Sequence, residues 1–144
     1  MYQVLCMMDK MRIIRKVAMA VFKNKKLLQV RTRKQDKVFY TLGGKIEEGE
    51  SEIECLKREA MEEVACNLDE SSLKFLHEFE DVAHGKDETL VNIKMYVGEL
   101  IGEPKPTSEV VEIGYFDSKS DKRNLSEIAQ RKIFPWLKKN GYIN

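Results

Sequence analysis

Apolar positions fall in short runs along most of the chain, and their period changes once in the middle. The segment IIRKVAMAVF (13–22) is rich in branched and aliphatic residues and predicts a strand. Lys23-Asn24-Lys25 reads as a turn, and KLLQVRT (26–32) as the second arm of a hairpin. RKQDK is a polar loop, followed by VFYTL (38–42), a short strand that runs into Gly43-Gly44. From residue 51 to about 66 the period shifts from two to 3.6, which predicts a helix. LKFLHEFEDVA (73–83) and TLVNIKMYVGEL (89–100) return to strand character on either side of the turn-like HGKDE. Pro104 and Pro106 mark a loop, and EVVEIGYF (109–116) predicts a further strand. SEIAQRKIFPWLKKNG (126–141) predicts a terminal helix, with Ser126 or Asn124 as N-cap and Gly141 just past its end. Pro135 within it should kink or divide that helix. Strands in runs around one central and one terminal helix predict an α/β (α+β) class with a mixed sheet. Residues 1–11 read as a lead-in or frayed first strand, and 12–144 as one domain.

Charge narrows the picture. Basic residues number 25 and acidic residues 24. That balance argues against a generic nucleic-acid binder, which needs a basic excess. The apolar runs are far shorter than the ~20 residues that span a bilayer. No basic leader followed by an apolar stretch is visible at the start. Cys6, Cys55 and Cys66 are odd in number and at no metal-ligand spacing, as expected of reduced thiols in a cytoplasmic protein.

The central helix carries the chemistry. Ser51 followed by Glu54 is a capping-box pattern and sets its start. On a helical wheel Ile53, Leu56, Ala60 and Val64 form the buried stripe. Glu59, Glu62 and Glu63 fall together beside it, and Glu52 points the same way from an earlier turn. Like charges at this spacing repel, so a cation is expected among them. Hard oxygen ligands suit Mg2+, or Mn2+. The bland alternative is a solvated glutamate face.

The segment before the helix favours the first reading. Gly44, Glu50, Arg58, Glu59, Glu62 and Glu63 hold six of the seven fixed positions of G-x5-E-x7-R-E-U-x-E-E-x-G-U, where U is a bulky aliphatic. The pattern resembles the Nudix box, and the strands around it lie where a Nudix fold would put them. The departures are Ala65 for the final glycine, Ala60 and Cys66 at the aliphatic positions, and Leu42 where a proline often precedes the paired glycines. An alanine at position 65 costs about 1 kcal/mol if a left-handed helix exit is kept.

The resemblance implies an α/β/α sandwich and a Mg2+-dependent pyrophosphohydrolase, in which water attacks a phosphorus of a nucleoside di- or triphosphate derivative. It implies Glu59, Glu62 and Glu63 as metal ligands, with the Gly44 carbonyl beside them. Glu50 and Arg58 are expected to pair and fix the loop against the helix. A further carboxylate from outside the box, Glu109 or secondarily Glu112, is expected as general base or extra ligand; Glu59 or Glu62 could also serve as base. Arg31, Arg33 and Lys45 are the candidates for the phosphates, with Lys34 and Lys37 nearby. His77 and His84 could assist Glu109 or simply pack. Tyr40 and Phe39 could stack on a base, although alternate strand residues more often fill the core.

Asp81, Val82, Ala83 and His84 stand where ADP-ribose or dinucleoside-polyphosphate enzymes often carry a marker proline or tyrosine. A small nucleotide is therefore the expected substrate, with no nucleic acid or membrane partner. A catalytically silent nucleotide-binding module and an ADP-ribose or nucleotide-sugar hydrolase are the alternatives. A homodimer through the lead-in or the Trp136 region is possible.

Overall fold

The structure, a computed structural model, describes residues 12–34, 37–83 and 88–144. The lead-in, with Cys6, and His84 lie outside the described residues. Among the described residues, eight strands, two α-helices and a π-helical stretch follow one another in an α+β order. They are β1 (Arg12–Ala20), β2 (Phe22–Lys23), β3 (Lys26–Thr32), β4 (Phe39–Thr41), β5 (Gly43–Lys45), α1 (Glu52–Val64), β6 (Asn67–Val82), β7 (Thr89–Ile101), β8 (Val110–Phe116) and α2 (Phe134–Lys139), the last preceded by a π-helical stretch, Ala129–Ile133.

The β-layer is divided into two sheets. One has the order β5-β1-β7-β6 and is mixed, because β1 runs parallel to β7 while the other pairs are antiparallel. In the other, β3 pairs antiparallel with β2, β4 and β8. The expected hairpin between 13–22 and 26–32 exists only at its tip, where Phe22 faces Leu27 and Lys23 faces Lys26. Asn24 and Lys25 make the turn with φ of 52° and 57°, the left-handed pair that suits the twist of a tight hairpin. Before that tip the chain changes sheets, because β1 is taken by β5 and β7.

Strand β1 explains the two cores. Val17, Ala18, Met19 and Ala20 are all buried, but successive side chains leave opposite faces of a strand. Ala18 and Ala20 pack with Phe134, Leu137 and Ile133 of the terminal helix. Val17 and Met19 pack with Leu56, Ala60 and Val64 of α1. A strand buried on both faces reads as a continuous apolar run.

Pro135 divides the terminal helix in the expected way. The Phe134 N–H reaches back to the Ala129 carbonyl, one residue beyond the α-helical partner, so the ladder widens just before the residue that has no N–H to give. Strand β6 begins at Asn67, earlier than the predicted 73, because its polar start pairs with β7 at Leu100 and Glu99.

Candidate active site

Helix α1 starts as its sequence dictates. The Ser51 hydroxyl accepts the Glu54 N–H at 3.1 Å, and the Glu54 carboxylate accepts the Ser51 N–H at 3.1 Å. The helix buries Cys55, Leu56, Ala60, Glu63 and Val64. It ends at Ala65, which holds φ 57° and ψ 35°. The left-handed exit is therefore kept without glycine.

Arg58 organises the acidic residues. Its Nε and Nη2 donate to the two oxygens of Glu50 at 2.8 and 3.0 Å, and Nη2 also donates to the Lys45 carbonyl at 3.2 Å. Nη1 donates to Glu59 at 2.8 Å and to Glu62 at 3.2 Å. The Arg58 guanidinium holds Glu50 down to about 2, and Glu50 in turn raises Arg58. This ties the loop 46–50 to the helix. Glu52 departs from the wheel reading: it accepts from the Tyr96 hydroxyl at 2.6 Å and pairs with Lys94 at 3.4 Å on β7. First-turn side chains of α1 lean over that sheet, which removes Glu52 from the acidic row.

Glu59 and Glu63 turn inward. Glu63 is 6% exposed and accepts the Gly43 N–H at 3.0 Å. Burial pushes its carboxyl up to about 8, with further upward pressure from Glu59 and Glu109 against the pull of that N–H. Burial raises Glu59 as well, against the pull of Arg58. Gly44 lies directly on Glu59, since a Cβ there would stand 2.4 Å from the carboxylate oxygen. Its carbonyl is 3.9 Å from the Cys55 sulfur. Cys55 is a free, buried thiol pushed up to about 12 by burial, and Cys66 is also free and buried.

The loop after β7 delivers Glu109. The Lys105 N–H donates to the Val64 carbonyl at 2.9 Å, and the Thr107 hydroxyl to the Glu63 carbonyl at 3.5 Å, so the loop docks on the end of α1. Thr107 Oγ1 then accepts the N–H groups of Glu109 and Val110 at 3.2 Å each. Glu109 is thereby close enough for its charge to act on Glu63. Glu112 is not part of this group, because it pairs with Arg31 at 3.0 Å across β3 and β8. Arg33 donates to the Ser108 carbonyl at 2.9 Å, on the loop that carries Glu109.

As packed, the described residues bring no three acidic, histidine or cysteine side chains onto one metal position. Arg58 occupies the space between Glu50, Glu59 and Glu62. The donor set still fits a hard divalent ion. The buried Glu63 and the half-buried Glu59, both raised by desolvation, meet a side-chain-free backbone at Gly44, and a cation there would offset the burial penalty.

A cavity of about 340 Å³ opens beside Glu63, Gly43 and Gly44. Ile14, Ala18, Val91 and Ile93 give it apolar walls, and Lys16, Tyr40, Thr41 and Ser126 its polar edge. The Lys16 ammonium lies 5.2 Å from the centre of the Tyr40 ring. Strand alternation separates the two predicted aromatics: Phe39 is in the core against Phe116, while Tyr40 lines the cavity and is raised by burial. Lys45 does not line this cavity. It lines a neighbouring cleft of about 330 Å³ with Arg12 and Arg15. His77 is stacked on Trp136 with centroids 4.4 Å apart, a packing position.

Lys16, Thr41, Ser126 and the buried Gln29 behind Thr41 were not legible as site residues. The available signal was a lone glutamine inside the apolar run KLLQV.

The NUDIX domain family model matches residues 13–137. No curated protein matches the chain in sequence. Among solved structures, the MutT protein from Methanosarcina mazei Go1 superposes with a TM-score of 0.68 at 18% identity, covering 92% of this chain and 97% of that one. The E. coli dihydroneopterin triphosphate pyrophosphohydrolase gives 0.66 at 14%, covering 90% and 98%. A MutT Nudix hydrolase from Burkholderia pseudomallei gives 0.62 at 16%, covering 73% and 83%. These likenesses establish the common fold, and with the family match over most of its length the chain belongs to the Nudix family of hydrolases.

Proposed function

We propose that this hydrolase cleaves the pyrophosphate linkage of a small nucleotide with the help of Mg2+. The observation that carries this reading is the buried Glu63 and the half-buried Glu59 against Gly44, next to a cavity of about 340 Å³. A polyanionic substrate needs positive charge at the breaking bond, and a divalent ion supplies charge neutralisation and an acidified water when bound. Glu59, Glu62 and Glu63 would hold it, with the Gly44 carbonyl beside them. Glu62 would have to exchange its bond with Arg58 for this role.

The chain's own residues have separable tasks in this reading. Arg58 and Glu50 hold the loop 46–50 against α1, so that Gly44 stays seated on Glu59. Glu109, whose charge acts on Glu63, would take the proton of the attacking water. Arg33, which bonds the loop that carries Glu109, would contact the phosphates. Arg31 would first have to share its bond with Glu112. The cavity walls take the base or ring.

The test is a nucleotide panel assayed with Mg2+ and with Mn2+, scored by product. Release of monophosphate plus pyrophosphate from a triphosphate, lost by at least about a hundredfold in the Glu62→Gln, Glu63→Gln double variant, supports the reading. Unchanged turnover in that variant, or turnover without divalent metal, refutes it.

A further inference from the structure

Among the described residues, two arginines and a lysine stand together without an acidic partner. Arg31, Arg33, Arg58, Arg123 and Arg131 each donate to a carboxylate or a carbonyl. The side chains of Arg12, Arg15 and Lys45 form no hydrogen bond or ion pair among the described residues. All three are exposed and line the cleft of about 330 Å³, together with Thr89 and an apolar wall that includes Ile14. No acidic and no aromatic side chain lines it among the described residues. Strand register accounts for the cleft. β7 pairs with β1 from Arg12 to Ala20, whereas β5 pairs with it only at Lys16, Val17 and Ala18. β1 runs on past the end of β5, and the cleft lies where that neighbour stops. Glu88, whose carbonyl accepts the Arg12 N–H at 3.2 Å, forms no ion pair with it. The cleft adjoins the acidic residues. Gly44 and Lys45 are consecutive on β5; Gly44 lines the cavity and lies on Glu59, Lys45 lines the cleft, and Ile14 lines both. Arg58 donates to the Lys45 carbonyl at 3.2 Å, which fixes that residue against α1.

We propose that Arg12, Arg15 and Lys45 receive the β- and γ-phosphates of a nucleoside triphosphate, so that the substrate is a triphosphate in preference to a nucleoside diphosphate sugar. The proposal rests on the nucleotide-cleaving reading above and specifies the end of the substrate that departs as pyrophosphate. Guanidinium forks match phosphate oxygens two at a time, and an ammonium adds a point charge. A sugar in the same cleft brings no charge to meet these cations, and the lining offers a second base no aromatic ring to stack on. Water adds its hydroxyl to one phosphorus as the P–O bond between the α- and β-phosphates breaks, its proton going to the base. A nucleoside monophosphate and pyrophosphate result without a co-reactant. Negative charge that gathers on the pyrophosphate during this step is met by the cations of the cleft.

Calorimetric titration of the full chain with inorganic pyrophosphate at low ionic strength, with Mg2+ and without it, reads the cleft apart from turnover. The unmodified chain is expected to bind pyrophosphate in both conditions. The Arg12→Ala, Arg15→Ala double variant is expected to bind it at least about tenfold more weakly, with thermal unfolding unchanged because both side chains are exposed. A crystal of the unmodified chain soaked with pyrophosphate locates the ligand without recourse to a variant, and density between Arg12, Arg15 and Lys45 is the expected result. No binding to the unmodified chain, affinity that the double variant retains, or pyrophosphate seated away from Arg12 and Arg15 overturns the proposal. Turnover is scored separately. The double variant should raise KM for a nucleoside triphosphate by about tenfold. Pyrophosphate held in the cleft with no nucleotide cleaved would keep the site and remove the nucleotide-cleaving reading. Triphosphate cleavage that the double variant leaves unchanged would do the reverse.

Discussion

Ala65 and Gly44 illustrate how single positions set the site. Ala65 holds a left-handed conformation at φ 57°, which an L side chain resists and glycine does not. Ala65→Gly is expected to raise stability by about 1 kcal/mol in denaturant unfolding. Gly44→Ala should do the reverse to function: the new methyl would lie 2.4 Å from the Glu59 oxygen and must displace it. A large loss of kcat with nearly normal unfolding is the expected result, and undiminished kcat would contradict the placement of Glu59. Glu63 gives a pH signature. Its folded-state carboxyl is raised from 4.5 to about 8, so the metal-free protein binds a proton that the unfolded chain releases. The associated stability is present below about 4.5 and is lost as pH rises through about 8. Thermal unfolding of the metal-free protein should fall across that window. It should fall less in Glu63→Gln, and less again when Mg2+ is added, because the ion offsets the buried charge.

At the scale of elements, what was legible depended on how local the cause is. The start of α1 is written in two residues three apart, Ser51 and Glu54, and the structure satisfies both bonds. Ser51→Ala should cost about 1 kcal/mol of stability. Pro135 likewise acts on its own turn, and the π-helical stretch appears beside it. Strand β5 was not legible, because Gly43-Gly44-Lys45 lacks strand-forming residues. It forms because Gly43 approaches Val17 so closely that a Cβ would lie 2.2 Å from the Val17 carbonyl. The pairing of Arg31 with Glu112 joins positions far apart in sequence, and only the register of β3 with β8 reveals it. The wheel placed Glu59, Glu62 and Glu63 on one side, yet it had no means of showing that Tyr96 and Lys94 would draw Glu52 away.

At the scale of the whole molecule, the class and the box helix followed from periodicity, while the partition into two sheets did not. The apolar run of β1 is compatible with one sheet or two; tertiary pairing of β1 with β5 and β7, and of β3 with β8, decides it. That partition leaves the cavity lined from both sheets and from the terminal helix, with the acidic end of α1 at its edge. In the proposed function, Glu59 and Glu63 receive a divalent ion at the edge of that cavity, where the phosphates would lie. The most direct test is anomalous diffraction from crystals soaked with Mn2+ and a non-hydrolysable nucleoside triphosphate. A manganese peak within coordinating distance of Glu59 and Glu63 and of a phosphate oxygen is the predicted result. Phosphates bound with no metal at those carboxylates, or a metal bound elsewhere, would contradict it.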